Sequence, residues 1–134
     1  MSLDIFAEFA TDESLENNGT WRDFRGGVRL LIGRLGNEAY SKAITREVEK
    51  NRLVLDLGGE GARKLDFDLM GIALAEGVLL GWDGPMAFKK QPMEYSRENA
   101  IKLLSVKDFR AVVVAMAQEL QSYRFKEEQA QGEA

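Results

Sequence analysis

Histidine and cysteine are both absent from the 134 residues. Without imidazole or thiolate, a Ser-His-Asp or Cys-His nucleophile cannot be assembled, and neither can a histidine or cysteine metal site. What remains is carboxylate chemistry. Asp12, Glu13 and Glu16 cluster near the amino terminus, and Asp66 and Asp68 form a smaller group. Oxygen ligands of this type suit Mg²⁺ or Ca²⁺, but the spaced Asp/Asn, glycine and final Glu of a Ca²⁺ loop are missing. Acidic residues so placed usually serve as solvated or helix-start charges. The run GGEGARK, Gly58–Lys64, superficially resembles a phosphate loop, yet Arg63 stands where the glycine before Lys64 is required and Leu65 follows. A flexible link between two helices is the expected use of that run. No catalytic residue, cofactor or bound metal is expected.

The charge balance points away from nucleic acid. Net charge is −4, whereas nucleic-acid binders present a basic patch or stripe. The nearest candidate is the pair Lys89-Lys90. The amino-terminal run MSLDIFAEFATDE has no positive charge ahead of an apolar stretch, so it does not read as a secretory signal. Lack of cysteine fits a reducing compartment. Trp21 and Trp82 are expected in the core, as is usual for tryptophan in a domain of this size.

The elements are organised around Asp68–Pro85, DLMGIALAEGVLLGWDGP. Between Leu69 and Leu80 only Glu76 is charged, and the apolar positions point in nearly every direction around a helix. Such a helix is buried on most sides, and it is too short to span a bilayer, which takes about 20 apolar residues. The expected boundaries are a cap at Asp66 or Asp68 and a stop at Gly81. Upstream, Thr20–Phe24 and Val28–Ile32 favour strands, and Arg25-Gly26-Gly27 suits a hairpin link. Leu3, Ile5, Phe6 and Phe9 suggest a terminus tied down on the core.

Asn37 is a good N-cap for a helix carrying Tyr40, Ala43, Ile44 and Val48 at helical spacing. Arg52–Leu57 reads either as a short strand or as the frayed end of that helix. Residues 83–95 read as a polar loop, and Ser96 as the N-cap of the next helix. Ser105 and Asp108 repeat a capping pattern before a stripe of Phe109, Val112, Val113, Met116, Leu120 and Tyr123. The fold expected is α+β and mainly α-helical: a small N-terminal β-hairpin packed on about four helices around a buried central helix. It forms one domain over residues 1–125. Lys126–Ala134, KEEQAQGEA, has nothing large to bury and is expected to be a disordered tail.

Several residues occur together in a familiar order: Phe9-Ala10-Thr11-Asp12, Glu16, Gly19-Thr20-Trp21, a turn at Gly26-Gly27, then Arg34, Gly36-Asn37 and Tyr40. Gly81-Trp82, Tyr95–Ala100, Leu103-Leu104, Phe109 and Phe125 follow. In this the chain resembles the tail assembly chaperones of long-tailed bacteriophages and prophages over roughly residues 6–125. The basic loop after Trp82, with Lys89 and Lys90, departs from that pattern. The resemblance carries no motif residue that assigns a partner-binding position.

The resemblance implies a non-catalytic factor in the cytoplasm of the bacterial host. Its partners would be the helical tape-measure protein and the tail-tube protein, and it would be absent from the finished virion. It implies no membrane or nucleic-acid partner, and the sequence leaves a homo-oligomer open. Another virion or connector protein is the competing reading. A small enzyme is a third, but it would need a pocket of perturbed carboxylates that no nucleophile–base pair seeds.

Overall fold

The computed structural model describes residues 2–125, and the expected tail over Lys126–Ala134 lies outside the described residues. Seven α-helices and two small antiparallel sheets are present among them, so the chain is α+β and mainly helical. In chain order these are α1 (Ile5–Phe9), α2 (Glu13–Asn18), β1 (Thr20–Asp23), β2 (Arg29–Ile32), α3 (Glu38–Lys50), α4 (Arg52–Leu57), α5 (Gly59–Gly77), β3 (Leu79–Asp83), β4 (Ala87–Phe88), β5 (Gln91–Pro92), α6 (Arg97–Leu104) and α7 (Lys107–Ala117). A 3-10 turn at Leu120–Tyr123 follows.

The central helix exists, but with different ends. It begins at Gly59, so Asp66 and Asp68 lie within it and cap nothing. The good helix formers Glu60 and Ala62–Leu65 carry the helix backwards into the glycine-rich run in spite of Gly61. That run is therefore mostly helix, with only Gly58 outside it as a link. At the other end the helix stops at Gly77 rather than Gly81. Leu79 and Leu80 belong to β3, which pairs antiparallel with β2 as the third strand of a sheet ordered β1-β2-β3. Local helical patterning loses here because strand pairing satisfies the backbone of Leu79–Asp83 and still buries Leu79 and Trp82. Glu76, the one charge in the apolar stretch, is held by Arg46 of α3 at 2.6 Å. Hydrogen bonding to that guanidinium lowers the carboxyl below its ordinary range.

The expected hairpin is present. Phe24 and Val28 face each other across the turn, the Phe24 N–H donating to the Val28 carbonyl at 3.0 Å, and Gly26 and Gly27 supply the positive φ that the turn requires. Leu30 and Ile32 point into the core with Leu74, Val78, Leu79, Leu104 and Val113. The four longer helices, α3, α5, α6 and α7, form the helical side of this core.

Asn37 fastens α3 to α5 and α2. Its Oδ1 accepts from the Tyr40 N–H at 3.0 Å, while its Nδ2 donates to the carbonyls of Gly77 at 2.8 Å and Glu16 at 2.9 Å. A Cβ at Gly77 would lie 2.5 Å from the Tyr40 nitrogen, so only glycine lets the helices approach this closely. Arg110 is a second bolt. Buried in α7, it donates to the carbonyls of Leu104 at 2.7 Å and Phe67 at 2.6 Å, with its guanidinium over the Phe67 ring.

Several local expectations change. Arg52–Leu57 is a helix of its own, α4. The loop over residues 83–95 contains the short β4–β5 hairpin. Ser96 caps α6 as expected, accepting from the Asn99 N–H. Ser105 and Asp108 make no capping box: the Ser105 hydroxyl donates back to the Lys102 carbonyl at 2.6 Å, and α7 starts without a side-chain cap. The apolar stripe from Phe109 is cut at Ala117, and Tyr123 reaches the core from the 3-10 turn instead.

Candidate interaction surface

Of the carboxylates with chemical capacity, Asp12, Glu16 and Asp68 have structural partners. Asp12 caps α2, accepting from the Ser14 N–H at 3.0 Å, Glu13 lies in the first turn of that helix, and Glu16 pairs with Arg34 at 3.3 Å. Asp68 faces Lys64 at 3.7 Å. Among the described residues no group of three or more His, Cys, Asp or Glu is placed to hold a metal ion. Lys89 and Lys90 form the tip of the β4–β5 hairpin, both with positive φ. No described helix is long and apolar enough to cross a membrane.

The unusual chemistry is on the surface, where large apolar side chains stand in water. The first group is built from both ends of the described chain. Asp4 caps α1 by accepting from the N–H groups of Phe6 and Ala7 at 3.0 and 3.2 Å. The helical spacing of Ile5 and Phe9 places both on one face. The chain is then tied down by its backbone: the Asp12 N–H donates to the Tyr123 carbonyl at 2.7 Å, and Arg124 donates to the Ala7 carbonyl at 2.5 Å.

Tyr123 fixes the opposite side. Its buried hydroxyl donates to the Ile32 carbonyl at 3.0 Å. The guanidinium of Arg22 lies 5.0 Å from its ring centroid, and that of Arg34 5.8 Å. Burial raises the Tyr123 hydroxyl above its ordinary range, so it stays a neutral donor at physiological pH. This junction places Phe125 beside Phe6, the rings stacked with centroids 6.4 Å apart.

The side chains do not follow the backbone inward. Leu3, Ile5, Phe6 and Phe9 are all exposed, Phe6 by 73%, and Phe125 is partly exposed. The expectation of an amino terminus packed on the core is thus corrected. The helix is only five residues long, held at its middle by Arg124 on the Ala7 carbonyl and beyond its end by Asp12 on the Tyr123 carbonyl, and its apolar side chains stay in solvent. Trp21 is corrected likewise. It lies on the outer face of β1 with Arg29 over its ring at 4.9 Å, whereas Trp82 is buried and donates to the Met93 carbonyl at 3.0 Å.

The second exposed group is on α4. Leu53 is 85% and Leu57 83% exposed, with Val54 beside them. The alternation in RLVLDL was the only signal for them. In a helix Leu53 and Leu57 share a face, and Leu55 alone is half-buried.

Both surfaces suit protein contact, because exposed apolar clusters mark interaction sites. No curated protein and no solved structure matches the chain. A comparison with protein families matches residues 35–134 to the family described as YdaY prophage protein. The matched stretch begins at Leu35 and takes in α3 through α7, so α1, α2, β1 and β2 precede it. With more than half of its length matched, this chain belongs to the YdaY prophage protein family.

Proposed function

We propose that this prophage protein is a non-catalytic tail assembly chaperone. It binds the tape-measure protein in the host cytoplasm, assists assembly of the tail tube around it, and leaves before the particle is finished. The observation that carries the reading is the exposed apolar group of Leu3, Ile5, Phe6, Phe9 and Phe125. A protein that works alone has no use for phenylalanines held in water on a capped helix, whereas a factor that shields a long apolar helix needs such a surface. Asp4, Glu8 and Glu13 flank the group, which favours a helical partner with basic residues beside its apolar stripe. The order of residues shared with tail assembly chaperones and the prophage family support the same reading.

The test is co-expression with the tape-measure protein of the same prophage, followed by affinity capture. The wild-type chain should retrieve the tape-measure protein. Phe6→Glu with Phe9→Glu should reduce recovery at least tenfold while shifting the melting curve little, because both side chains are mostly exposed and only the Phe6–Phe125 stack is lost. Equal recovery by the double variant would remove the amino-terminal face from the mechanism. No recovery by folded wild-type chain would count against the chaperone role itself.

A further inference from the structure

We infer that the β4–β5 hairpin and the end of α6 form a docking site for an acidic segment of a partner protein, one that carries an apolar side chain among its carboxylates. An open recess of about 550 Å³ is lined there by Phe88, Lys89, Gln91, Pro92, Met93 and Lys102. Phe88 and Met93 are half-buried and pack against the core, so the floor is apolar and held in place. Lys89, from the hairpin tip, and Lys102, from the last turn of α6, border it and are both exposed. None of these residues belongs to the apolar group of Leu3, Ile5, Phe6, Phe9 and Phe125.

The ion pairs single out this end of the molecule. Lys42, Lys50 and Lys64 each meet a carboxylate, at 2.7, 3.7 and 3.7 Å. Among the described residues, Lys89, Lys90, Lys102 and Lys107 meet none at ion-pair distance. Glu98 precedes Lys102 by four positions, the spacing that joins Glu38 to Lys42, yet no such pair forms. The Lys89 ammonium lies 5.6 Å from the Phe88 ring centroid, a contact that uses none of its N–H donors. Glu94 lines the adjoining recess with Trp82 and Tyr95, not this one. With a net charge of −4 on the whole chain, an anionic segment is disfavoured elsewhere on the surface and drawn to this end.

The turn points the same way. Lys89 and Lys90 have φ of 50° and 69°, and positive φ at both central positions of a two-residue hairpin is the geometry that Asn-Gly or Asp-Gly adopts most readily. Any residue with a Cβ is disfavoured in that left-handed conformation. Two cations are thus kept at the tip against the preference of the backbone, which fits a use outside the chain. A protein segment suits the recess better than nucleic acid does. Phe88, the one aromatic ring lining it, is half-buried and already faced by Lys89, so no free ring is offered for base stacking. The apolar floor instead receives a side chain, while Lys89 and Lys102 meet carboxylates on either side of it.

Fluorescence anisotropy on the full chain tests this, with a labelled peptide of about ten residues, mostly glutamate around one central leucine, long enough to cross the recess. The wild type should bind with a Kd of about 10–100 µM at low ionic strength, weakening roughly fivefold when salt is raised to about 0.5 M. Lys89→Glu with Lys102→Glu should weaken binding about tenfold or more, with an unchanged circular dichroism spectrum. Lys42→Glu with Lys64→Glu makes the same change in net charge elsewhere and should bind like the wild type. Lys89→Asn with Lys90→Gly should raise the melting temperature by relaxing the turn, and still weaken binding. No binding by the wild type, equal losses in the two glutamate variants, or equal binding of a glutamine version of the peptide would each overturn the inference. Tighter binding of an oligothymidylate or of phosphatidylglycerol vesicles than of the peptide would overturn the assignment to a protein segment.

Discussion

Leu74→Asp is expected to abolish the cooperative fold at ambient temperature. Leu74 lies in the last turn of α5, fully buried among Ile32, Val78, Leu104 and Val113. Removing a buried leucine side chain costs about 2–5 kcal/mol through lost transfer energy and the cavity left behind. The aspartate then brings either a buried charge without a partner or a proton it must take up to avoid one, at a further cost of several kcal/mol. Domains of this size are stable by about 5–15 kcal/mol in total. The variant should therefore lose its near-ultraviolet circular dichroism and show no thermal transition. A melting curve like that of the wild type would mean that α5 is not the centre of the core.

Gly77→Ala is expected to be strongly destabilising although it adds only a single methyl group. The new Cβ would sit 2.5 Å from the Tyr40 nitrogen, 2.9 Å from its Cα and 2.8 Å from the Asn37 Oδ1. Two of the three are backbone atoms, so no side-chain rotation relieves the clash. Separating α3 from α5 also pulls the Gly77 carbonyl from the Asn37 amide that it accepts from at 2.8 Å. Overpacking together with a stretched buried hydrogen bond should cost about 3 kcal/mol, a fall of roughly 10 °C in Tm. Gly61→Ala is the control within the same helix. With open space around the new methyl group, it should raise stability by up to about 1 kcal/mol. Equal effects at the two positions would show that the helix crossing is looser than described.

The contrast between these glycines shows what the sequence could and could not reveal. Both look alike in the run of residues, and only the crossing of α3 separates them. Hairpin, helix starts at Asn37 and Ser96, and burial of the central apolar run were legible because each rests on local rules of turn, cap and periodicity. Leu79 and Leu80 were misassigned because an all-round apolar pattern fits either a buried helix or a buried strand, and the choice was made by β2, distant in sequence. The exposed face of α1 was hidden for a similar reason. Aromatic residues near a terminus usually anchor it, and here the anchoring is done instead by Arg124, Tyr123 and the backbone. In α4 the leucines alternated as a strand would, and only the helical backbone sets Leu53 and Leu57 together. The absence of histidine and cysteine is read directly from the sequence.

A chaperone and a connector protein would both bind other tail components, but only a connector remains in the particle. Quantitative mass spectrometry of an induced culture, comparing assembly intermediates with purified finished particles, separates them. If the chain is a chaperone, it co-purifies with the tape-measure protein before tube polymerisation and is missing from finished particles. Its recovery from finished particles in fixed stoichiometry with the tube protein would contradict the chaperone role.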